Sequence, residues 1–161
     1  MDRKSVAKIK KHLIAAEKIA QEELGLENIF YNERFIELFI ADALGHEYGN
    51  NTQGGDAFDT KTQKPTEYKA INRRSKSGGK GSFQFHWLSE NKMKKYKQTD
   101  KMYCVMRDGV SLEEIYEVDT KKILKAMGHN STNSESIHGH AGFSLKKLKE
   151  NLGAKKIEPS P

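Results

Sequence analysis

The sequence predicts a single α/β (α+β) domain in which helices flank a set of strands. A length of 161 residues suits one domain with a substantial core. Near the N-terminus, apolar residues recur at helical spacing, whereas several later segments alternate as strands do. Asp108-Gly109 is a strong hairpin signal between two of these segments. We therefore expect residues 1–161 to form one domain.

Two helices are predicted before the first strand. Residues 3–24 carry an apolar stripe that ends at Gly25, and lysines fill much of the opposite face. This stripe either packs on its own domain or makes residues 3–24 a dimerisation helix. A second helix is predicted over residues 32–44, with Asn32 as its N-cap and Gly45 as its stop.

The remaining elements follow from alternation and from turn residues. Strands around Asp56 and Glu67 are predicted to be joined by a turn at Lys64-Pro65. The other predicted strands are 82–87, 101–107 and 110–118. Short helices are predicted over residues 90–97, 120–127 and 145–152, with Ser144 as the cap of the last one. Residues 46–55 and 128–142 are predicted loops, and the chain is predicted to fray at Lys155-Lys156.

A candidate catalytic centre lies in the two strands around Asp56 and Glu67. Side chains alternate along a strand, so Glu67 and Lys69 share one face, and a neighbouring strand would bring Asp56 beside Glu67. Two carboxylates suit Mg²⁺, which can activate water and stabilise charge on a phosphodiester, and Lys69 adds a positive charge. The alternative is a solvated cross-strand ion pair. Glu37, on the second helix, is either a surface residue or a third acidic group near this site.

The charge of the chain suits a polyanion. The formal net charge is +6 and the sequence pI is about 9.2, which favours nucleic acid or another anionic surface. The basic loop 72–81 is a candidate for phosphate contacts, or else a mobile surface loop without a ligand. Its candidate residues are Arg73, Arg74, Lys76 and Lys80.

Two other segments are candidates for reading bases. Gln84 and His86 share one face of the predicted strand 82–87, and both types of side chain can pair with base edges in the major groove. A lone histidine is otherwise more often structural. The polar segment 128–142 offers further base-edge hydrogen bonds through Asn130, Asn133, His138 and His140. Metal binding by the two histidines there lacks an obvious third ligand.

Several classes of protein are disfavoured by the composition. The single cysteine, Cys104, excludes an intrachain disulfide and a Cys-rich zinc site, and its apolar strand predicts burial. Neither a membrane span nor a signal-peptide core is evident. We expect a soluble intracellular protein without a membrane partner.

Four segments together resemble the PvuII-like type II restriction endonucleases, which have the PD-(D/E)xK nuclease fold. They are Glu27-Asn-Ile-Phe30, Gly55-Asp56-Ala57, Glu67-Tyr68-Lys69-Ala70-Ile71-Asn72 and Lys95-Tyr96-Lys97-Gln98. The resemblance continues through Arg107 and Glu114-Ile-Tyr116 to about Leu124, which is roughly 60% of the chain in matching order. It implies a restriction-endonuclease-like mixed central sheet flanked by helices.

The resemblance also implies an activity and its residues. The activity is Mg²⁺-dependent hydrolysis of both strands of double-stranded DNA at a short, palindromic site by a homodimer. Asp56 and Glu67 fall on the metal-binding positions, with the Tyr68 carbonyl as a further ligand, and Lys69 and Tyr96 fall on active-site positions. The remaining correspondences are His86 with a guanine-contacting histidine and Asn32 with an acidic minor-groove residue. A location in the bacterial cytoplasm and a cognate DNA methyltransferase in the same system are implied as well.

Departures from the family pattern concern specificity more than chemistry. The chain has Phe85-His86-Trp87 where the family has consecutive histidines, and residues 128–143 align poorly with the family's recognition segment. Two alternatives remain. One is a PD-(D/E)xK nuclease of another kind, such as a nicking subunit, a repair nuclease or a resolvase. The other is a non-catalytic, basic DNA-binding protein in which the acidic pair is structural.

Overall fold

The computed structural model describes residues 2–49, 55–74, 81–86, 89–127 and 141–159. The helices are α1 Arg3–Leu24, α2 Arg34–Leu44, α3 Glu90–Gln98, α4 Thr120–Ala126 and α5 Leu145–Leu152, with a short 3₁₀ helix Tyr31–Glu33 before α2. The strands are β1 Ala57–Asp59, β2 Lys64–Asn72, β3 Ser82–Phe85, β4 Lys101–Asp108, β5 Ser111–Asp119, β6 Ala141–Ser144 and β7 Lys155–Ile157.

Five of these strands form a mixed sheet in the order β1-β2-β4-β5-β7. Strands β2 and β4 are parallel, and the other neighbours are antiparallel. A separate antiparallel pair is formed by β3 and β6. The predicted mixed central sheet flanked by helices is confirmed, as is the hairpin at Asp108-Gly109, where Gly109 has a left-handed φ of 62°.

The two faces of the central sheet are covered by different elements. On one face, Met102 and Cys104 of β4 pack in a cluster with Phe85 of β3 and Tyr96 of α3. On the other face, Tyr103 and Val105 pack in a cluster that contains residues of α2. Cys104 is buried, as its apolar strand predicts. Alternation along β2 therefore assigns its side chains to two distinct environments.

Most of the apolar stripe of α1 is uncovered in the described part of the chain, and only Ala20 near its C-terminal end packs, against Leu26 and Ile29. Ala20 is its one buried residue. Six larger apolar side chains are 43% to 60% exposed: Val6, Ile9, Leu13, Ile14, Ile19 and Leu24. The helix begins where the Asp2 carboxylate accepts hydrogen bonds from the Lys4 and Ser5 amides, and it ends at Gly25 with φ 65°. It is a well-capped helix with an uncovered apolar surface.

The prediction that Asn32 caps the second helix is wrong. Asn32 has φ 50° and ψ 32°, and the next residue, Glu33, has φ 60°. These two successive left-handed residues form a turn, and the N-cap of α2 is Glu33, whose side chain makes no capping hydrogen bond. The Glu33 carboxylate holds the turn by accepting a 2.6 Å hydrogen bond from Arg107 at the end of β4.

The predicted turn at Lys64-Pro65 is also displaced. The turn lies at residues 60–63, where the Asp59 carboxylate accepts hydrogen bonds from the Lys61 amide at 2.8 Å and the Thr62 hydroxyl at 2.9 Å. Pro65 lies within β2, opposite Phe58. Its missing N–H is tolerated because the backbone of Phe58 instead bonds to Glu47 in both directions.

Two strands were not predicted. Residues 141 and 142 fall in the predicted loop 128–142 but begin β6, which pairs with β3 and buries Phe143 against Phe85. Lys155–Ile157, predicted to fray, pairs with β5 as β7. Ser144 caps α5, as predicted, by accepting a hydrogen bond from the Lys147 amide. No helix among the described residues combines the length and apolarity needed to cross a membrane.

Candidate active site

Glu67 and Lys69 point to the sheet face that β3 and α3 cover. They alternate with Tyr68, which packs in the opposite cluster with Tyr103. The Lys69 ammonium donates to a Glu67 carboxylate oxygen at 2.5 Å and to the Tyr68 carbonyl at 2.8 Å. The side chains of Lys69 and Glu67 are only 17% and 11% exposed. Strand β2 thus carries a largely buried ion pair, whose ammonium group is also bonded to the backbone of the strand.

Asp56 joins this group from the segment that leads into β1. Its carboxylate accepts a 2.7 Å hydrogen bond from the Tyr68 amide. The Asp56 amide in turn donates to the Thr66 carbonyl at 2.9 Å, which continues the antiparallel pairing of β1 with β2. The backbone of Tyr68 therefore links Asp56 and Lys69, because its N–H donates to Asp56 and its carbonyl accepts from Lys69.

The electrostatics of the group are those of crowded, poorly solvated carboxylates. Burial, followed by the nearby Glu67 charge, raises the pKa of Asp56 to about 7. Burial lowers the pKa of Lys69, but the charges of Glu67 and Asp56 outweigh it and hold that pKa above its usual value. Lys69 therefore remains positively charged, whereas the ionised form of Asp56 is unfavourable in this site.

The oxygens at this point suit a hard divalent cation. Two carboxylates and a backbone carbonyl are oxygen ligands of the kind that Mg²⁺ takes, with water and substrate completing its coordination. A cation would also relieve the repulsion between Asp56 and Glu67. No cluster of three or more His, Cys, Asp or Glu side chains that could hold a metal ion occurs within the described ranges. Within these ranges, a site here would use the Tyr68 carbonyl in addition to the Asp56 and Glu67 carboxylates.

Tyr96 approaches the site from α3. Its ring is 1% exposed and lies edge-on to Phe85, with ring centroids 6.0 Å apart. Phe85 in turn has the Lys69 ammonium 5.5 Å from its ring centroid. The Tyr96 hydroxyl is buried beside Glu67, and it makes no well-formed hydrogen bond among the residues that the structure describes. Such a hydroxyl is costly in a folded protein unless it binds something else, such as water or a substrate.

Glu37 lies near the site without joining it. Its carboxylate accepts a 3.0 Å hydrogen bond from the Tyr48 hydroxyl. Burial raises the pKa of Glu37, and the charges of Lys69 and Glu67 also act on it. It is therefore half-buried on α2 and coupled electrostatically to β2.

Gln84 and His86 share an exposed face at the end of β3. Phe83 and Phe85 between them are buried, so the predicted alternation holds over this strand. The Gln84 amide is hydrogen-bonded to the Ser82 hydroxyl. Because Phe85 lies beside Lys69, the buried face of β3 adjoins the Glu67–Lys69 pair, and Gln84 and His86 lie on the opposite face of this strand.

Arg73 and Arg74 directly follow the C-terminal end of β2, and Asn32 lies near the same end. Arg73 pairs with Glu113 at 2.6 Å and with Glu114 at 3.3 Å, and Arg74 pairs with Asp108. Asn32 precedes Glu33, which is tied to Arg107 opposite the end of β2. The predicted phosphate contacts Lys76 and Lys80 and the predicted base contacts Asn130, Asn133, His138 and His140 lie outside the described residues.

One residue near the site was missed by sequence reasoning. Lys92 lies four residues before Tyr96 on α3, and its ammonium is 6.0 Å from the Tyr96 ring centroid. The i, i+4 spacing from a predicted site residue was the available signal. Among the many lysines of this chain, that spacing alone did not distinguish Lys92.

Comparison with known families gives one match that covers most of the chain. The model of a family described as restriction endonuclease PvuII matches residues 1–140. The matched range includes both strands of the candidate site and all of α3. A search among curated proteins gave no match.

Proposed function

Because the chain belongs to the PvuII restriction endonuclease family, we propose that it is a Mg²⁺-dependent type II endonuclease that cuts both strands of a short, palindromic DNA site. Family membership supports a DNA endonuclease. The further details rest mainly on one observation, the contact of Glu67, Lys69 and Asp56 around the Tyr68 peptide group. Two carboxylates this close together can bind a divalent cation, and the lysine beside them can offset the negative charge of a phosphate.

Asp56, Glu67 and the Tyr68 carbonyl would hold the cation. When bound there, Mg²⁺ supplies activation of water and stabilisation of the charge on the phosphate. Lys69 orients the attacking water and offsets the negative charge that develops on the phosphate oxygens. The attacking water gives up a proton to solvent and its oxygen bonds to phosphorus, while the bond from phosphorus to the 3′ oxygen breaks. The 3′ oxygen takes a proton from solvent, and the other strand end keeps a 5′ phosphate.

Tyr96 would contribute through its buried hydroxyl. That group lies near Glu67 and Lys69 and makes no well-formed hydrogen bond among the described residues. A hydrogen bond to the substrate phosphate or to the attacking water would satisfy it. Its role is then to fix geometry in a site closed by aromatic rings.

DNA recognition would use the surfaces around this centre. The exposed pair Gln84 and His86 at the end of β3 supplies base contacts, and Arg73 and Arg74 supply phosphate contacts once their surface ion pairs rearrange. Asn32 would face the minor groove. Lys76 and Lys80 are proposed to contact phosphates, and Asn130, Asn133, His138 and His140 are proposed to contact bases.

The proposed homodimer would use the uncovered apolar stripe of α1. Six large apolar side chains exposed on one helix are unusual for a monomer. A two-fold dimer would place one catalytic centre on each strand and would make the recognition site palindromic.

Digestion of a plasmid of known sequence tests the proposal. Purified protein is incubated with Mg²⁺ or with EDTA, and the ends of the products are sequenced. Discrete Mg²⁺-dependent double-strand fragments that share one short sequence at their ends are expected. Single nicks or random degradation would indicate another kind of nuclease, and DNA binding without cleavage would indicate a non-catalytic protein.

A further inference from the structure

Lys92 supplies a second ammonium group beside the candidate active site, from α3 rather than from β2. It lies on the same helical face as the buried Tyr96, four residues later. Its ammonium is 6.0 Å from the centroid of the Tyr96 ring. Lys92 is half-buried, whereas its neighbour Lys94 is exposed.

A pair of aromatic rings connects Lys92 to the catalytic lysine. The Phe85 and Tyr96 rings meet edge to face at 88°, with centroids 6.0 Å apart. The Lys69 ammonium lies 5.5 Å from the Phe85 ring, and the Lys92 ammonium lies over the Tyr96 ring. Two ammonium groups thus flank one aromatic pair, and each makes a cation–π contact with one of its rings.

A hydrogen bond fixes the position of Lys92. Its ammonium donates to the carbonyl of His86 at 2.9 Å, directly after β3. A lysine has three N–H donors, and this carbonyl is its one hydrogen-bond acceptor among the described residues. The bond orients the ammonium and leaves it able to donate to a ligand.

The charges around Lys92 favour an anion at this place. Burial and then the Lys69 charge lower the pKa of Lys92, while Glu67 and Asp56 act in the opposite direction. The two ammonium groups repel each other, and an anion that contacts both would reduce this repulsion. A DNA phosphate is the anion that the proposed function brings to this site.

We propose that Lys92 is a second catalytic cation, which contacts the phosphate at the cut together with Lys69 and offsets the charge that develops there during hydrolysis. The inference rests on the proposed nuclease function. It assigns to α3 a role in stabilising the transition state as well as in carrying Tyr96.

The test compares Lys92→Gln with Lys94→Gln, which removes the same charge from an exposed position of the same helix. Glutamine at position 92 removes the charge but keeps an N–H that can donate to the His86 carbonyl. A further variant, Lys92→Arg, keeps the charge. Cleavage of plasmid DNA with Mg²⁺ under single-turnover conditions gives the rate, DNA binding in EDTA gives the affinity, and thermal unfolding verifies folding.

We expect Lys92→Gln to slow cleavage of bound DNA by at least ~10-fold, with DNA affinity changed by less than ~3-fold. Lys94→Gln should cut like the wild type, and Lys92→Arg should recover part of the rate. Equal rates for the two glutamine variants, or a loss confined to affinity, would overturn the assignment. A wild-type protein that does not cut with Mg²⁺ would instead overturn the proposed function, and with it this inference.

Discussion

The Lys69 ammonium lies 2.5 Å from the Glu67 carboxylate, and both side chains are largely shielded from water. An exposed Glu-x-Lys pair is usually a solvated ion pair of little consequence. Here the pair is buried at a cost in desolvation, and a third ionisable group, Asp56, accepts a hydrogen bond from the Tyr68 backbone N–H between them. This geometry disfavours the surface ion pair as an explanation and is typical of a functional site.

Asp56 should destabilise the protein at neutral and higher pH. Its folded pKa of about 7 lies above the ordinary value of 3.8, so the folded protein retains a proton that the unfolded protein releases. Stability is therefore lost as the pH rises through this window. Without divalent cations, we expect Asp56→Asn to raise the free energy of unfolding by about 1 kcal/mol or more at pH 8, and by little near pH 4.

Denaturant unfolding in EDTA at several pH values measures this effect, and Asp59→Asn provides a control of opposite sign. Burial raises the pKa of Asp59, but hydrogen bonds from Lys61 and Thr62 outweigh it and lower that pKa. The stability that Asp59 contributes is present above its unfolded pKa and is lost in acid. Asp59→Asn should therefore destabilise at pH 8. A destabilised Asp56→Asn at that pH would contradict the assigned pKa.

Tyr96→Phe should separate folding from activity. The Tyr96 hydroxyl lies beside Glu67 without a well-formed hydrogen bond among the described residues, so its removal should change the melting temperature little. If the hydroxyl binds substrate or water, cleavage should slow by ~10-fold or more. Calorimetry and plasmid cleavage give the two values. A variant that is clearly destabilised but fully active would show that the hydroxyl is structural.

Ile9→Glu combined with Leu13→Glu should convert a dimer into monomers. Both side chains lie on the exposed stripe of α1, 60% and 48% accessible. Burying two carboxylates in an apolar interface is strongly unfavourable. Light scattering measures the mass in solution, and Lys11→Glu, on the opposite side of the helix, is the control. An unchanged mass for the double variant, or a monomeric wild-type protein, would exclude this interface.

Local patterns predicted much of the fold and of the site. The alternation around Glu67 and Lys69 predicted their shared face, and Asp108-Gly109 predicted the β4–β5 hairpin. Gly25 predicted the end of α1. In each case the deciding interaction lies within a few residues along the chain, so the sequence contains its signal.

Interactions between distant segments were not predictable in this way. β7 is a strand because β5 offers it an edge, and β6 is a strand because Phe143 packs on Phe85. The Asn32–Glu33 turn depends on Arg107, far away in sequence. Lys92 differs from other lysines of the chain only because α3 places it over the Tyr96 ring. These features depend on tertiary contacts rather than on local propensity.

Cleavage by Lys69→Met and Lys64→Met, compared with the wild type on the same plasmid with Mg²⁺, tests the central claim most directly. Both lysines belong to β2, but Lys64 is 50% exposed and contacts only Asp100 among the described charges, at 3.7 Å. The active-site assignment predicts that Lys69→Met loses ~10³-fold or more in rate while remaining folded, and that Lys64→Met cuts like the wild type. Cleavage by a folded Lys69→Met at the wild-type rate would contradict it.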